Sequence, residues 1–242
     1  MPSAPFARVE RSRQSGIRLG DGRLPSITVI VPTYNRADSL LRCVSRMPED
    51  IELIVVDDGS TDHTPASMSR CKHPRLKYVR KVNGGPASAR NEGVSHSHGE
   101  ILIFTDDDCV PGDRWVHNLA TWLLDEPPTT GGVGGRVLPL GRGWVSRYST
   151  FHRVLEPPSS CSYLVTANCA YRRRVLLQVG GFDETIRFPG DEDPELSFRV
   201  RKAGYDLVYE PSAIVVHDYR EGLLDFARTF YRYGKGCAHV MA

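Results

Sequence analysis

A chain of 242 residues with 40% hydrophobic content is long enough to bury a proper core, as one globular domain or two closely fused halves. Its net charge of +2 is too small to argue for a nucleic-acid partner. Six scattered cysteines, with no Cys-x-x-Cys pair, argue against a zinc site or a disulfide framework and fit a reducing cytoplasmic setting.

The first 25 residues carry five Arg among Pro, Ser and Gly and lack the apolar core of a signal peptide, so 1–25 is expected to be a flexible N-terminal extension. Ile27-Thr28-Val29-Ile30-Val31 reads as a β-branched strand stopped by Pro32. Thr33-Tyr34-Asn35-Arg36 follows as a loop, and Asp38 or Ser39 is the expected cap of a helix with Leu40, Leu41, Val44 and Met47 on its apolar face. Residues 51–56 form a second strand that runs into Asp57-Asp58-Gly59-Ser60. A helix over 64–71, a short strand over 76–79, a turn at Asn83-Gly84-Gly85-Pro86 and a helix over 87–94 come next.

The run Ile101-Leu102-Ile103-Phe104-Thr105 is apolar throughout, as a central strand covered on both faces would be, and it stops in Asp106-Asp107-Asp108. Three adjacent acids repel one another. Either they form a solvated acidic turn, or they serve a hard cation, for which carboxylate oxygens are the preferred ligands. The alternation of strands and helices predicts a doubly wound, mainly parallel sheet flanked by helices. Such sheets bind ligands outside the carboxyl ends of their strands. Three of the four predicted strands end in polar clusters, so parallel pairing would place those clusters along one edge. Neither the Gly-x-Gly-x-x-Gly dinucleotide pattern nor a Walker sequence is present, so a nucleotide held there would need a metal to neutralise its phosphates.

Beyond Pro111 the pattern is less regular. A helix is expected over 115–124. Gly131 to Val137 allows either close approach of a ligand or a bulged strand. Residues 141–163 read as an acceptor-side loop, and a basic helix is expected over 173–179. Asp191-Glu192-Asp193-Pro194-Glu195 precedes a helix over 196–203. Asp193 before Pro194 is well placed to cap that helix, yet four acids in five residues exceed what capping needs, and a carboxylate there is also suited to act as a general base. Residues 207–209 and 213–216 read as two short strands, the second ending in His217. From 219 to 235, Arg and Lys alternate with aromatic residues. This suits a helix docked through Leu223, Leu224, Ala227 and Phe230, or peripheral contact with a membrane surface at its inner, cytoplasmic face.

Six stretches in order resemble the family 2 glycosyltransferases: Val31-Pro32-Thr33-Tyr34-Asn35-Arg36, Val56-Asp57-Asp58-Gly59-Ser60, Gly85-Pro86-Ala87-Ser88-Ala89-Arg90-Asn91, Asp106-Asp107-Asp108, Gly180-Gly181-Phe182-Asp183-Glu184 and Glu192-Asp193-Pro194-Glu195. The resemblance covers roughly Ser26 to Tyr219. It implies an α/β GT-A fold, an inverting hexosyltransferase, a nucleotide-sugar donor of the UDP type, a hydroxyl acceptor (lipid carrier, polysaccharide or natural product) and Mn²⁺ or Mg²⁺. It divides the chain into a transferase domain over 26–219, with a nucleotide-sugar half to 110 and an acceptor half from 111, and a basic, aromatic tail over 220–242.

The resemblance also implies roles. Pro32, Thr33, Tyr34 and Arg36 would line the nucleotide pocket, Asp58 would bond the base, Arg90 would approach base or phosphates, and Asp106 would lie near the ribose. Asp108 would bind the metal, with Asp107 an alternative register, and His217 matches a position that completes the metal shell in a subset of relatives. Asp193 would be the catalytic base, with Asn168 and Glu192 on the acceptor side. Two other readings compete: a nucleotidyltransferase, which lacks here its Gly-rich basic loop, and a non-catalytic nucleotide-sugar binding module, which would not need Asp108 and Asp193.

Overall fold

β-Branched and aliphatic residues build the first half of the sheet. The computed structural model describes residues 26–158 and 160–240, with side chains as far as residue 234, so the expected extension over 1–25 lies outside the described residues. Strands β1 (Ile27–Thr33), β2 (Glu52–Asp57), β3 (Leu76–Arg80) and β4 (Ile101–Thr105) are parallel in the order β3-β2-β1-β4. Their side chains alternate between two cores, as the period of a strand requires. Val29, Val31, Leu53, Val55, Ile101 and Ile103 face one, whereas Ile30, Ile54, Val56, Leu102 and Phe104 face the other.

Helices α1 (Ala37–Val44) and α4 (Trp115–Asp125) cover the first face. The second is covered by α3 (Pro86–His96), α6 (Arg173–Val179) and α7 (Glu192–Lys202). A short helix, α2 (Thr64–Met68), lies between β2 and β3. Neither Asp38 nor Ser39 caps α1: the helix begins at Ala37, the cap position is Arg36, and no side chain closes it.

The sheet continues past β4 through strands of which sequence pattern marked only the segments 131–137, 207–209 and 213–216. Its eight strands run β3-β2-β1-β4-β7-β6-β8-β5. Here β5 is Cys109–Pro111, β6 is Thr130–Pro139, β7 is Asn168–Arg172 and β8 is Asp206–His217. β7 is antiparallel to both β4 and β6, β6 and β8 are parallel, and β5 returns antiparallel to β8.

The two short strands expected over 207–209 and 213–216 are one strand, β8. Its register jumps from Glu210 opposite Gly135 to Ile214 opposite Arg136, and the extra residues around Pro211 interrupted the alternation. The glycine stretch in β6 approaches its own chain. A Cβ on Gly135 would stand 2.3 Å from the Ala213 carbonyl oxygen, and one on Gly132 would stand 2.7 Å from the Tyr171 ring.

The segment 141–163 is not wholly a loop, for it carries helix α5 (Trp144–Phe151). The start of α5 is held from a distance. The Glu221 carboxylate accepts hydrogen bonds from Val145 N (2.8 Å) and Ser146 N (3.2 Å), two of the donors that a helix start leaves unpaired. The last helix, α8 (Leu223–Val240), docks on α5 through only part of the expected face, with Phe230 in the contact and Phe226 in place of the leucines. Phe226 and Phe230 pack on Tyr148 with ring centroids 5.1 and 5.7 Å away, while Leu223 and Leu224 are both 71% exposed. Among the described residues no helix is long and apolar enough to cross a membrane.

Candidate active site

The parallel order brings three strand ends together. Thr33 closes β1, Asp57 closes β2, and Asp106-Asp107-Asp108 follow β4. Beside them opens a cavity of about 500 Å³. Pro32, Thr33, Tyr34, Arg36, Asp58, Arg90, Asp106, Asp107, Asp108 and His217 all line it. Asn168, Glu192 and Asp193 do not stand on its wall.

Backbone amides set the Asp58 carboxylate. It accepts from Gly84 N (2.9 Å), Gly85 N (2.8 Å) and Lys81 Nζ (3.1 Å). Gly85 can present its amide because it adopts φ +92° and a Cβ there would stand 2.6 Å from the Arg187 carbonyl oxygen.

The three acids of the triplet have different partners. Asp106 accepts from Arg90 Nη2 at 3.1 Å. Asp107 accepts from the Thr33 hydroxyl at 2.6 Å, with Arg36 Nε 3.7 Å away. Asp108 is paired with Arg36 on one oxygen and with His217 Nε2, at 3.2 Å, on the other. Strand pairing explains the last contact, since β5 sets Cys109 opposite His217 and Asp218 N donates to the Asp108 carbonyl at 2.9 Å.

Burial and the two neighbouring acids raise the Asp107 pKa to about 7, against the pull of Arg36 and Thr33. Burial also opposes ionisation of Asp108, but His217 and Arg36 outweigh it and hold that carboxyl well below its usual range. His217 is raised, because Asp108 outweighs the cost of burying an imidazolium. Its Nδ1 is buried without a hydrogen-bond partner among the described residues, and its ring lies 4.3 Å from the Tyr219 ring.

A second network joins the triplet to α7. Arg90, only 4% exposed, donates through Nη1 to Glu192 Oε1 at 2.9 Å while Nη2 holds Asp106. Glu192 Oε2 accepts from Gly190 N at 2.7 Å. Asp193 is not the cap of α7: the helix starts at Glu192, Asp191 occupies the cap position, and Asp193 lies in the first turn. Its Oδ2 accepts from Thr166 N (2.9 Å) and Thr166 Oγ1 (3.1 Å), and its Oδ1 is buried with no partner among the described residues. Burial, reinforced by Glu192 and opposed by Arg90, raises the Asp193 pKa to about 7.

Asn168 is 1% exposed and its amide is fully engaged. It accepts from Trp115 Nε1 at 2.7 Å and donates to the Arg136 and Ala213 carbonyls at 2.8 Å each. These bonds tie β7 to α4, β6 and β8.

The opposite wall of the cavity was not foreseen. Val145, Ser149, Leu155, Phe226, Phe230 and Tyr233 supply it from α5, the turn after it and α8. The i, i+4, i+7 spacing of Phe226, Phe230 and Tyr233 was the available signal. No local signal marked Thr166 or Tyr219.

The donor set fits a hard divalent cation. Asp108, Cys109 and His217 each offer one ligand atom, all within 4.8 Å of one another, and the unpartnered Nδ1 of His217 is an unexplained buried donor or acceptor. Burial pushes the Cys109 thiol well up, so it stays protonated and leaves oxygen and imidazole ligands, which suit Mn²⁺ or Mg²⁺.

Comparison with known proteins agrees with this architecture. The model of Glycosyl transferase family 2 matches residues 28–180. A pre-mycofactocin glycosyltransferase of Mycobacterium tuberculosis is 33% identical over 224 residues, covering 88% of this chain and 47% of that one. The glycosyltransferase AglE of Haloferax volcanii is 29% identical over 231 residues, covering 90% and 74%. The chain thus spans about half the length (47%) of the mycobacterial relative. A solved mannosyltransferase, PcManGT of Pyrobaculum calidifontis in complex with GDP-Man and Mn²⁺, superposes with a TM-score of 0.67 at 26% identity, covering 89% of this chain and 64% of that one. The structure of GalNAc-T7 with UDP, GalNAc and Mn²⁺ shares the fold at a TM-score of 0.64 and 16% identity, covering 86% and 48%.

Proposed function

The chain belongs to glycosyl transferase family 2, and from that premise we propose that it moves a sugar from a nucleoside-diphosphate donor to an acceptor hydroxyl, with inversion, using Asp193 as general base. The observation that carries this reading is the meeting of Asp58, Arg36, Asp106, Asp108 and His217 on one cavity at the carboxyl ends of the strands. The base would rest against Asp58, the diphosphate near Arg36, and the ribose near Asp106. Asp108 and His217 would hold Mn²⁺ or Mg²⁺, which when bound supplies Lewis-acid stabilisation of the leaving diphosphate. Asp107, whose Oδ2 is engaged by the Thr33 hydroxyl, would be the poorer ligand of the two acids.

The donor is read as a UDP-sugar. The similar mannosyltransferase holds GDP-Man, so guanosine belongs in any test of the base. Arg90 is engaged by Asp106 and Glu192 and acts from the pocket wall by fixing both. Glu192 would belong to the acceptor side of the site, where its charge raises the Asp193 carboxyl.

In the transfer step, the acceptor oxygen bonds to the anomeric carbon from the face opposite the phosphate. The bond from that carbon to the phosphate oxygen breaks, its electron pair leaves with the diphosphate, and the acceptor proton passes to Asp193. A single positioned base contributes about 10²–10⁴-fold. Asp193→Asn is therefore expected to bind donor as the wild type does and to lose transfer by about that factor. Calorimetry and a product assay check this, and near-normal turnover by the folded variant would refute the assignment. Release of pyrophosphate instead of a nucleoside diphosphate would mark a nucleotidyltransferase.

A further inference from the structure

We infer that Thr166 is the positioning residue of this base: it fixes the Asp193 carboxylate through Oδ2 and leaves Oδ1 to take the acceptor's proton. The inference rests on the reading of Asp193 as general base.

Thr166 is 3% exposed and sits in the turn that leads into β7, where Asn168 N donates to the Val165 carbonyl at 3.0 Å. Both of its donors converge on one oxygen, Asp193 Oδ2, at 2.9 Å from N and 3.1 Å from Oγ1. The other oxygen, Oδ1, has no partner among the described residues. An acid present only to cap its helix would turn to the amides of its own first turn, yet no side chain makes that bond in α7.

The same segment is fastened one turn further along the helix. Leu164 N donates to Ser197 Oγ at 3.1 Å, and Ser197 Oγ lies 3.2 Å from Tyr171 Oη. Residues 193 and 197 are four apart, so they share one face of α7. The segment 164–166 therefore grips that face at two points and fixes the rotation of the carboxylate about its last bond.

This arrangement has two chemical consequences. The two bonds to Oδ2 favour the ionised form and so oppose the cost of burial. They also decide which oxygen is free: the proton released as the acceptor oxygen bonds to the anomeric carbon goes to Oδ1, while the electron pair of the broken glycosyl bond leaves with the diphosphate.

Thr166→Val keeps the shape and the backbone amide and removes one of the two donors, whereas Thr166→Ser restores it. The other groups facing Asp193 are Asp191 and Glu192 on α7, Arg90 on α3, Asp106 after β4, Tyr163 in the 141–163 segment, Cys169 and Tyr171 on β7, and Tyr233 on α8. None of them is altered in either variant. Because the acceptor is not identified, water serves as acceptor. The probes are UDP-glucose and GDP-mannose, followed by release of UDP or GDP against pH in the presence of Mn²⁺.

Thr166→Val is expected to lower kcat roughly tenfold, as loss of a hydrogen bond to a charged group implies. It should move the acid limb of the kcat profile upward by up to about one pH unit and leave donor KM unchanged. Thr166→Ser is expected to recover both kcat and the limb. A wild-type kcat and acid limb in Thr166→Val would overturn the inference, and so would a Thr166→Ser variant as impaired as the valine, which would mean the methyl group matters only for packing. Asp193→Asn run alongside separates the two claims. Turnover by that variant sinks the base itself, whereas its loss with an unaltered Thr166→Val sinks only the role of Thr166.

Discussion

Arg90 is the residue on which both networks depend. It stands between Asp106 and Glu192, and its ring-stacked position 5.7 Å from the Phe182 centroid leaves it almost no contact with water. Removing one member of a buried ion pair leaves the other charge unpaired, which costs about 3–5 kcal/mol. Arg90→Met is expected to lose stability on that scale, with Glu192 bearing most of it, and urea denaturation would read the loss.

The raised Asp193 carboxyl makes a separate prediction. A base works only when deprotonated, so with a pKa near 7 the transfer rate should rise with pH through about 7 and level off above it. A limb below pH 5 would mean that the base titrates as an ordinary surface acid.

Sequence reading pointed to acids that the fold gathers on one cavity, and it left Asp107 and Asp108 as alternatives for the cation. That choice depends on which acid meets Thr33 and which meets His217, and the second contact is made across 109 positions of chain. Asn168 was read as acceptor-side, yet its hydrogen bonds hold four elements together. Composition alone does not separate a buried structural amide from a ligand-binding one.

At the scale of elements, the first four strands and their helices were legible because short apolar runs alternate with turn and cap residues. α6 was read to the residue, from Arg173 to Val179, with Gly180 ending it in a left-handed conformation at φ +84°. α5 was missed for a physical reason. Its sequence WVSRYSTF is rich in β-branched and aromatic residues with modest helix propensity, and its start depends on Glu221. Glu221→Ala is expected to cost about 1–2 kcal/mol, as the loss of a helix cap does, and to speed amide exchange over residues 144–151. Unchanged protection there would show that the aromatic contacts with α8 hold α5 without the carboxylate.

Strand β8 was split by its own bulge opposite Gly135. Gly135→Ala would set a methyl group against the Ala213 carbonyl and the Asn168 amide, so a loss of about 1–3 kcal/mol is expected, readable in a thermal melt.

The whole molecule turns a linear series of motifs into one site by topology alone. β1, β2 and β4 lie side by side in parallel, so Thr33, Asp58 and the Asp triplet converge without any long-range instruction beyond strand order. β7 then reverses direction beside β4, and β8 and β5 return the chain so that His217 meets Asp108. The parallel convergence could be anticipated from strand–helix alternation. The antiparallel return could not, because β5 and β7 are three and five residues long and show no pattern of their own. The cavity consequently has one polar wall that the motifs announced and a second wall, with Val145 and Ser149 from α5 and the aromatic side chains of α8, that only the assembled structure brings into place.

On the proposed function, this cavity binds a nucleoside diphosphate through a cation held by Asp108. The most direct measurement is the thermal stabilisation of the wild-type protein and of Asp108→Ala by UDP, GDP and dTDP, with and without Mn²⁺. At ligand concentrations of about 100 Kd, a bound nucleotide adds about 2.7 kcal/mol to the folded state. A Mn²⁺-dependent rise of that size is expected with one nucleotide and is expected to be absent from a folded Asp108→Ala. Stabilisation that survives in Asp108→Ala, or that needs no divalent cation, would contradict it.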